Sequence, residues 1–146
     1  MKLRQISLSI ENSPDRLYRV TKALGEAGIN LRAMNLVDAG GLGLLRILVS
    51  NVAAARRVMM EHHLPAYVEE VVAVEIEDRP GSLSELLKLL MEGQIRVVYT
   101  YAFVGMSEGN AVMIFRFNDN DKAIELLKKK GIQLMDSKSF GILESE

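Results

Sequence analysis

Along residues 71–90 the apolar pattern changes period. Val72, Val74 and Ile76 alternate with their neighbours, which sends every second side chain to one face, as a half-buried strand requires. Asp78-Arg79-Pro80-Gly81-Ser82 interrupts the alternation, and Leu83, Leu86, Leu87 and Leu90 then recur at helical spacing. The stretch predicts a strand, a tight loop and a helix. Pro80 suits a loop or a first helical turn, where its missing N–H would have no intrahelical partner. Gly81 lacks a Cβ, so another group can approach the backbone where first-turn N–H groups point outward. Such a helix start favours negative charge and is a candidate site for a carboxylate or phosphate. The same residues also make an ordinary turn.

The unit occurs twice. Placing Pro14 on Pro80 also superposes Leu17 on Leu83, Lys22 on Lys88, Leu24 on Leu90, Glu26 on Glu92 and Ile29 on Ile95, without a gap. Further along, Ala55 matches Ala123, Val58 Leu126, Met59 Leu127 and Leu64 Ile132, two residues further out of step, as a longer hairpin loop would produce. The chain is two copies of one unit of about half its length.

In chain order the first copy predicts a strand over 3–11, a helix over about 15–27 capped by Asn12 or Ser13 and ended by Gly28, and a strand over 30–37. A hairpin turn at 38–41, a strand over 44–50, a helix from Asn51 to about His62 and a short strand over 65–69 follow. The second copy predicts a strand over 71–77, a helix over 81–92, strands over 95–104 and 111–117 joined by a hairpin at 105–110, a helix over 120–130 and a last strand region over 132–142. Each unit reads β-α-β-β-α-β, the ferredoxin-like order, so the expected class is α+β, with antiparallel sheets and helices on one face. The expected domains are residues 1–70 and 71–146. Each sheet would keep one open face, so pairing of sheets or edges is expected.

Composition narrows the function. The 146 residues carry 18 basic and 19 acidic side chains, so no global field draws the chain to nucleic acid or an anionic membrane. With no cysteine there are no disulfides and no thiolate chemistry. No apolar run approaches the roughly 20 residues of a membrane span, and the charged, alternating start is unlike a signal peptide. A soluble protein of the cytoplasm is expected.

Asp78-Arg79-Pro80-Gly81-Ser82-Leu83, a helix, and then Gln94-Ile95-Arg96 resemble the signature of ACT domains, D-x-P-G-x-L followed by G-I-N before the second strand. The first copy carries it as Asn12-Ser13-Pro14-Asp15-Arg16-Leu17 and Gly28-Ile29-Asn30. The resemblance covers nearly the whole chain and implies a stand-alone tandem ACT protein without a catalytic domain. In that family small regulatory modules bind amino acids between paired domains. The turn before the first helix meets the ligand's carboxylate or amino group, and the strand bearing the Asn contributes from a neighbouring unit. Carried over, the ligand-binding residues are Asn12, Ser13, Pro14, Leu17, Asn30 and Met34 in the first copy, and Asp78, Arg79, Pro80, Gly81, Ser82 and Leu83 in the second. Neither copy is complete: Asp15 stands where the pattern has Gly, and Gln94 and Arg96 where it has Gly and Asn. The loop over 78–83 would then face the strand after Asn30 in one composite site, or in two symmetric ones in a dimer.

Other candidates carry less. His62 and His63 are adjacent, so their side chains diverge, unlike the i, i+4 pairs of zinc helices. Tyr99, Tyr101 and Phe103 share a strand face, as in RNA-recognition sheets, but lack the basic residues and glycines of that motif. Gly40-Gly41-Leu42-Gly43 joins two strands and opens no helix, unlike a phosphate loop. Lys128, Lys129 and Lys130 suit the last turn of a helix. No base stands near a nucleophile. The expectation is an amino-acid sensor that is not an enzyme and needs no cofactor or metal. It would form a homodimer, pass ligand binding to a regulated protein partner, and bind neither nucleic acid nor membrane. A ligand-free assembly module and a nucleic-acid binder are the alternatives, and fold alone does not choose among them.

Overall fold

The computed structural model describes residues 1–104 and 109–144. Met106 and most of the hairpin expected over 105–110 lie outside them. The described residues form seven strands and four helices: β1 (Lys2–Glu11), α1 (Pro14–Glu26), β2 (Leu31–Ala39), β3 (Leu42–Val49), α2 (Val52–Glu61), β4 (Ala66–Glu77), α3 (Ser82–Glu92), β5 (Val97–Val104), β6 (Asn110–Phe117), α4 (Asn120–Lys129) and β7 (Gln133–Met135). They make two ferredoxin-like βαββαβ units, as the repeat predicts. One compact unit comprises residues from Arg4 to Glu69 and, from Ser137 on, the end of the chain; the other comprises Met1–Leu3 and Glu70–Asp136.

In the first unit β3 pairs antiparallel with β1 (Ile6 opposite Ile47) and with β2 (Leu36 opposite Leu45). Ile6, Leu8 and Ile10 alternate inward and are nearly inaccessible, as are Leu45, Ile47 and Val49. Helix α1 adds Val20, Ala23 and Leu24, and α2 adds Val52, Ala55, Val58 and Met59. Burial of each larger aliphatic side chain contributes about 1.5–3 kcal/mol.

The second unit has the strand order β7-β4-β6-β5, all antiparallel. Its core gathers Val72 and Val74 of β4, Leu86 and Leu90 of α3, Met113, Phe115 and Phe117 of β6, Ala123 and Leu127 of α4, and Leu134 of β7. Phe115 and Phe117 stack with ring centroids 4.9 Å apart.

Two boundaries differ from the sequence reading. The strands expected over 65–69 and 71–77 are one twelve-residue strand, β4, because nothing between Glu69 and Val71 breaks an extended backbone. The strand region expected over 132–142 stops at Met135. The polar run Asp136-Ser137-Lys138-Ser139 turns instead: Ile142 N–H donates to the Ser137 carbonyl, and Phe140 and Ile142 are buried. Leu143 then bridges Asn51, exchanging backbone hydrogen bonds with Ser50 and Val52, and the Glu144 carboxylate accepts from Arg4 N–H at 2.6 Å. Short-range periodicity carries no sign of these long-range partners.

Candidate functional site

All four helices end alike. In α1 the N–H of Ile29 donates to the Leu24 carbonyl and that of Gly28 to Gly25, a Schellman closure; Leu64, Ile95 and Ile132 do the same for α2, α3 and α4. The residue before each of these must take positive φ. Glycine does so at Gly28 and Gly131, but His63 (φ 55°) and Gln94 (φ 58°) hold it with a side chain. Gln94, a departure from the G-I-N pattern, therefore keeps that pattern's backbone.

The helix beginnings are unalike. Ser13 Oγ accepts from Arg16 N–H, Asn51 Oδ1 from Ala54 N–H and Asp119 Oδ1 from Lys122 N–H, so α1, α2 and α4 carry side-chain caps. Helix α3 starts on Gly81, which has φ 93° and no side-chain cap. Its first-turn N–H groups keep the partial positive charge of an uncapped terminus. Ser82, one turn before Leu86 and two before Leu90, shares their inward face and is 7% exposed. Its hydroxyl has no hydrogen-bond partner. Such an unsatisfied group costs about 1–3 kcal/mol.

Ser82 lines an open cleft of about 660 Å³ within the second unit. Glu75, Ile76 and Glu77 from the end of β4 form one side, Arg79, Ser82, Glu85, Leu86 and Leu89 another, and Asn110, Gly131, Ile132 and Gln133 complete it. The volume suits a small molecule. Arg79 spans the opening of the loop: Nε donates to Glu77 Oε2 at 2.7 Å and Nη2 to Glu85 Oε2 at 3.0 Å. The Glu77 hydrogen bond, and then that of Glu85, raise the Arg79 pKa above its ordinary value. Asn110 Nδ2 donates to Glu75 Oε1 at 3.0 Å.

The matching turn of the first unit is occupied by itself. Pro14 already lies in the helix, two residues ahead of the equivalent start at Ser82. Asp15, the expected departure, sits in the first helical turn and pairs with Arg19 at 3.1 Å. Asn12 Nδ2 donates to Asp38 Oδ1 at 2.7 Å, and its N–H to the Gly41 carbonyl. Leu17 is half-buried and Met34 exposed. The backbone of Asn30 exchanges hydrogen bonds with Ser50, N–H to Oγ at 2.8 Å and carbonyl to N–H at 2.8 Å.

Of the residues expected from sequence, Arg79 and Ser82 line the cleft. Asp78, Pro80 and Gly81 shape the loop behind them, with Asp78 N–H donating to the Gly109 carbonyl at 2.9 Å. Leu83, read as part of the helix's apolar pattern, is exposed with Leu87 and Met91 in one stripe, while Ser82 takes the inward place. Sequence reasoning missed Glu75, Glu77, Glu85, Asn110, Ile132 and Gln133. Only the carboxylates flanking D-R-P-G left a trace, as charges on a strand end and a first helical turn. Tyr99 and Tyr101 are half-buried on β5, away from the cleft. Among the described residues, no group of three or more acidic or histidine side chains could hold a metal, and no helix is long and apolar enough to cross a membrane.

Two ferredoxin-like units in one chain, with a proline-marked turn at the start of the first helix of each, define a tandem pair of one α+β module. The chain belongs to the ACT domain pair family, which matches residues 1–143. Protein BT0572 from Bacteroides thetaiotaomicron is 29% identical over 98% of both chains, with a TM-score of 0.91. The ligand-free regulatory subunit of aspartate kinase from Thermus thermophilus is 15% identical, with 86% of this chain and 90% of that one covered and a TM-score of 0.62. The aspartate kinase of Clostridium acetobutylicum is 14% identical, with 88% and 32% covered and a TM-score of 0.52. The last two likenesses bear on the fold. None of the curated proteins matches the chain significantly.

Proposed function

We propose that this ACT domain pair is a regulatory protein without catalytic activity that binds a free amino acid in the cleft at the start of α3. The observation that carries the reading is Ser82: a buried hydroxyl without a partner, beside an uncapped helix N-terminus, opening on a cleft of about 660 Å³. An amino-acid carboxylate would accept from Ser82 Oγ and from first-turn N–H groups. The ammonium would meet Glu75, Glu77 or Glu85. Backbone donors and a hydroxyl bind without reacting, which suits a sensor. To signal, the ligand must favour one conformation or assembly over another. A homodimer and a regulated protein partner belong to the same proposal, with the exposed stripe of Leu83, Leu87 and Met91 on α3 as a contact surface.

A thermal-shift screen against the twenty amino acids tests the reading. A ligand at a hundredfold excess over its Kd stabilises the folded state by about 2.7 kcal/mol. The expected result is a raised melting temperature with one or a few amino acids, lost in Ser82→Val. No shift with any of them would turn the reading to an assembly module.

A further inference from the structure

If the cleft binds an amino acid, as proposed above, its floor also chooses the side chain. The ladder between β4 and β7 pairs Val74 with Leu134 and ends where Glu75 meets Gln133. The next residues outward, Ile76 and Ile132, have the parity of Val74 and Leu134 and share their inward face. Both pack against the core of the second unit, yet both stay half-buried, and both line the cleft. From α3, Ser82, Leu86 and Leu89 reach the same cleft, at the i, i+4, i+7 spacing of one helix face. Leu86 is buried and Leu89 half-buried. The cleft is where the hydrophobic layer between sheet and helix comes to the surface, with the unpartnered Ser82 hydroxyl at the start of the helix. The carboxylates around it are already engaged, Glu77 and Glu85 by Arg79 at 2.7 and 3.0 Å and Glu75 by Asn110. A cation on the ligand's side chain would therefore gain little there beyond what the α-ammonium takes.

We propose that the cleft selects an amino acid with an aliphatic side chain, of the leucine or isoleucine class, over smaller, polar or charged ones. The α-carboxylate is anchored at Ser82 and the start of α3. Leu86 lies four residues on, about 6 Å along the helix axis, so a side chain of leucine's length reaches it from that anchor. There Ile76, Leu86, Leu89 and Ile132 take apolar surface out of water. A polar or charged end in the same place loses its water to groups that offer no hydrogen bond.

Isothermal titration with L-leucine, L-alanine, L-asparagine and L-lysine separates the contributions. Alanine keeps the amino-acid head and lacks the rest of the side chain. Asparagine keeps leucine's shape but ends in an amide, and lysine ends in a cation. Leucine should bind at least about tenfold tighter than each of the three, a difference of about 1.4 kcal/mol. The preference over alanine should persist in concentrated salt, which screens charges and not apolar contact. Leu89→Gln should weaken leucine about tenfold and leave alanine within about twofold. Ile132→Thr, which alters the floor from the other side, should do the same. Alanine, asparagine or lysine binding as tightly as leucine would overturn this inference and leave amino-acid binding standing. Equal losses of leucine and alanine in both variants would overturn it too, since the floor would then serve the fold and not the ligand's side chain. Failure of all twenty amino acids to bind would remove the amino-acid reading itself and the selection with it.

Discussion

The two turns descend from the same sequence pattern and end in opposite states. At the start of α1 three polar side chains at the helix terminus are partnered: Ser13 caps it, Asp15 pairs with Arg19, and Asn12 is tied to Asp38. At the start of α3 the cap is a glycine, the buried Ser82 hydroxyl is unpaired, and charged side chains stand around a cleft. The difference begins with one residue. Asp15 accepts helical geometry, so α1 starts at Pro14 and its side chains close the terminus. Gly81 turns left-handed, so α3 starts later and its terminus stays open. A saturated turn is stable, whereas an unsaturated one holds binding capacity at some cost to the fold.

The contrast breaks most sharply at that residue. Gly81→Val must place a β-branched side chain at φ 93°, a strain of roughly 1–3 kcal/mol. Asp15→Ala removes an exposed ion pair and should stay within about 0.5 kcal/mol. Urea unfolding of the two variants reads the difference as a shift in midpoint at constant slope. Equal shifts would mean that the backbone at Gly81 is not what separates the turns.

The serines should respond with opposite signs. Ser13→Ala loses a helix cap and about 1 kcal/mol of stability. Ser82→Ala deletes a buried hydroxyl that satisfies nothing, so the unliganded protein should hold its stability or gain up to about 1 kcal/mol. Its amino-acid affinity should fall. A Ser82→Ala protein destabilised as much as Ser13→Ala would mean that the hydroxyl has a structural partner.

Gln94 offers a gain. It holds φ 58° where the first unit has glycine at φ 73°. Left-handed backbone costs a residue with a side chain roughly 1–2 kcal/mol, partly offset by the extra freedom glycine has when unfolded. Gln94→Gly should raise stability by about 0.5–1 kcal/mol, and Gly28→Gln should lower it by a similar amount, both visible in melting temperature.

These sites show which parts of the structure the sequence disclosed. The strand and helix faces were legible because Ile6, Leu8, Ile10 and Val72, Val74, Ile76 obey a local period, and the duplication at Pro14 and Pro80 gave the repeated topology. Two things were not legible. Whether Leu83 or Ser82 faces inward depends on where α3 starts, and that depends on the φ of a single glycine. The cleft wall drawn from Asn110, Ile132 and Gln133 is assembled across strands β6 and β7, and no local period encodes such neighbours. The turn of the C-terminal residues, with Leu143 beside Asn51, is of the same kind.

The smallest effects belong to the bridging cations of the second unit. Arg79 joins Glu77 and Glu85, and Lys2 joins Asp121 at 3.0 Å and Glu70 at 3.6 Å. The hydrogen bond to Asp121 raises the Lys2 pKa, with the nearby Glu70 charge second. A raised folded pKa means that the stabilisation is complete below the ordinary lysine value and lost as pH climbs through the raised one. The stability difference between the wild type and Lys2→Met should therefore be flat across neutral pH and shrink only above about pH 10.4. The corresponding difference for Arg79→Gln should persist there, since a guanidinium stays charged. Both should fade in concentrated salt, because Arg79 is exposed and Lys2 is partly open to solvent. Paired denaturation curves at pH 7 and pH 11 read the two together. A Lys2 difference that persists at pH 11 while the Arg79 difference vanishes would reverse the assignment of charge to these bridges.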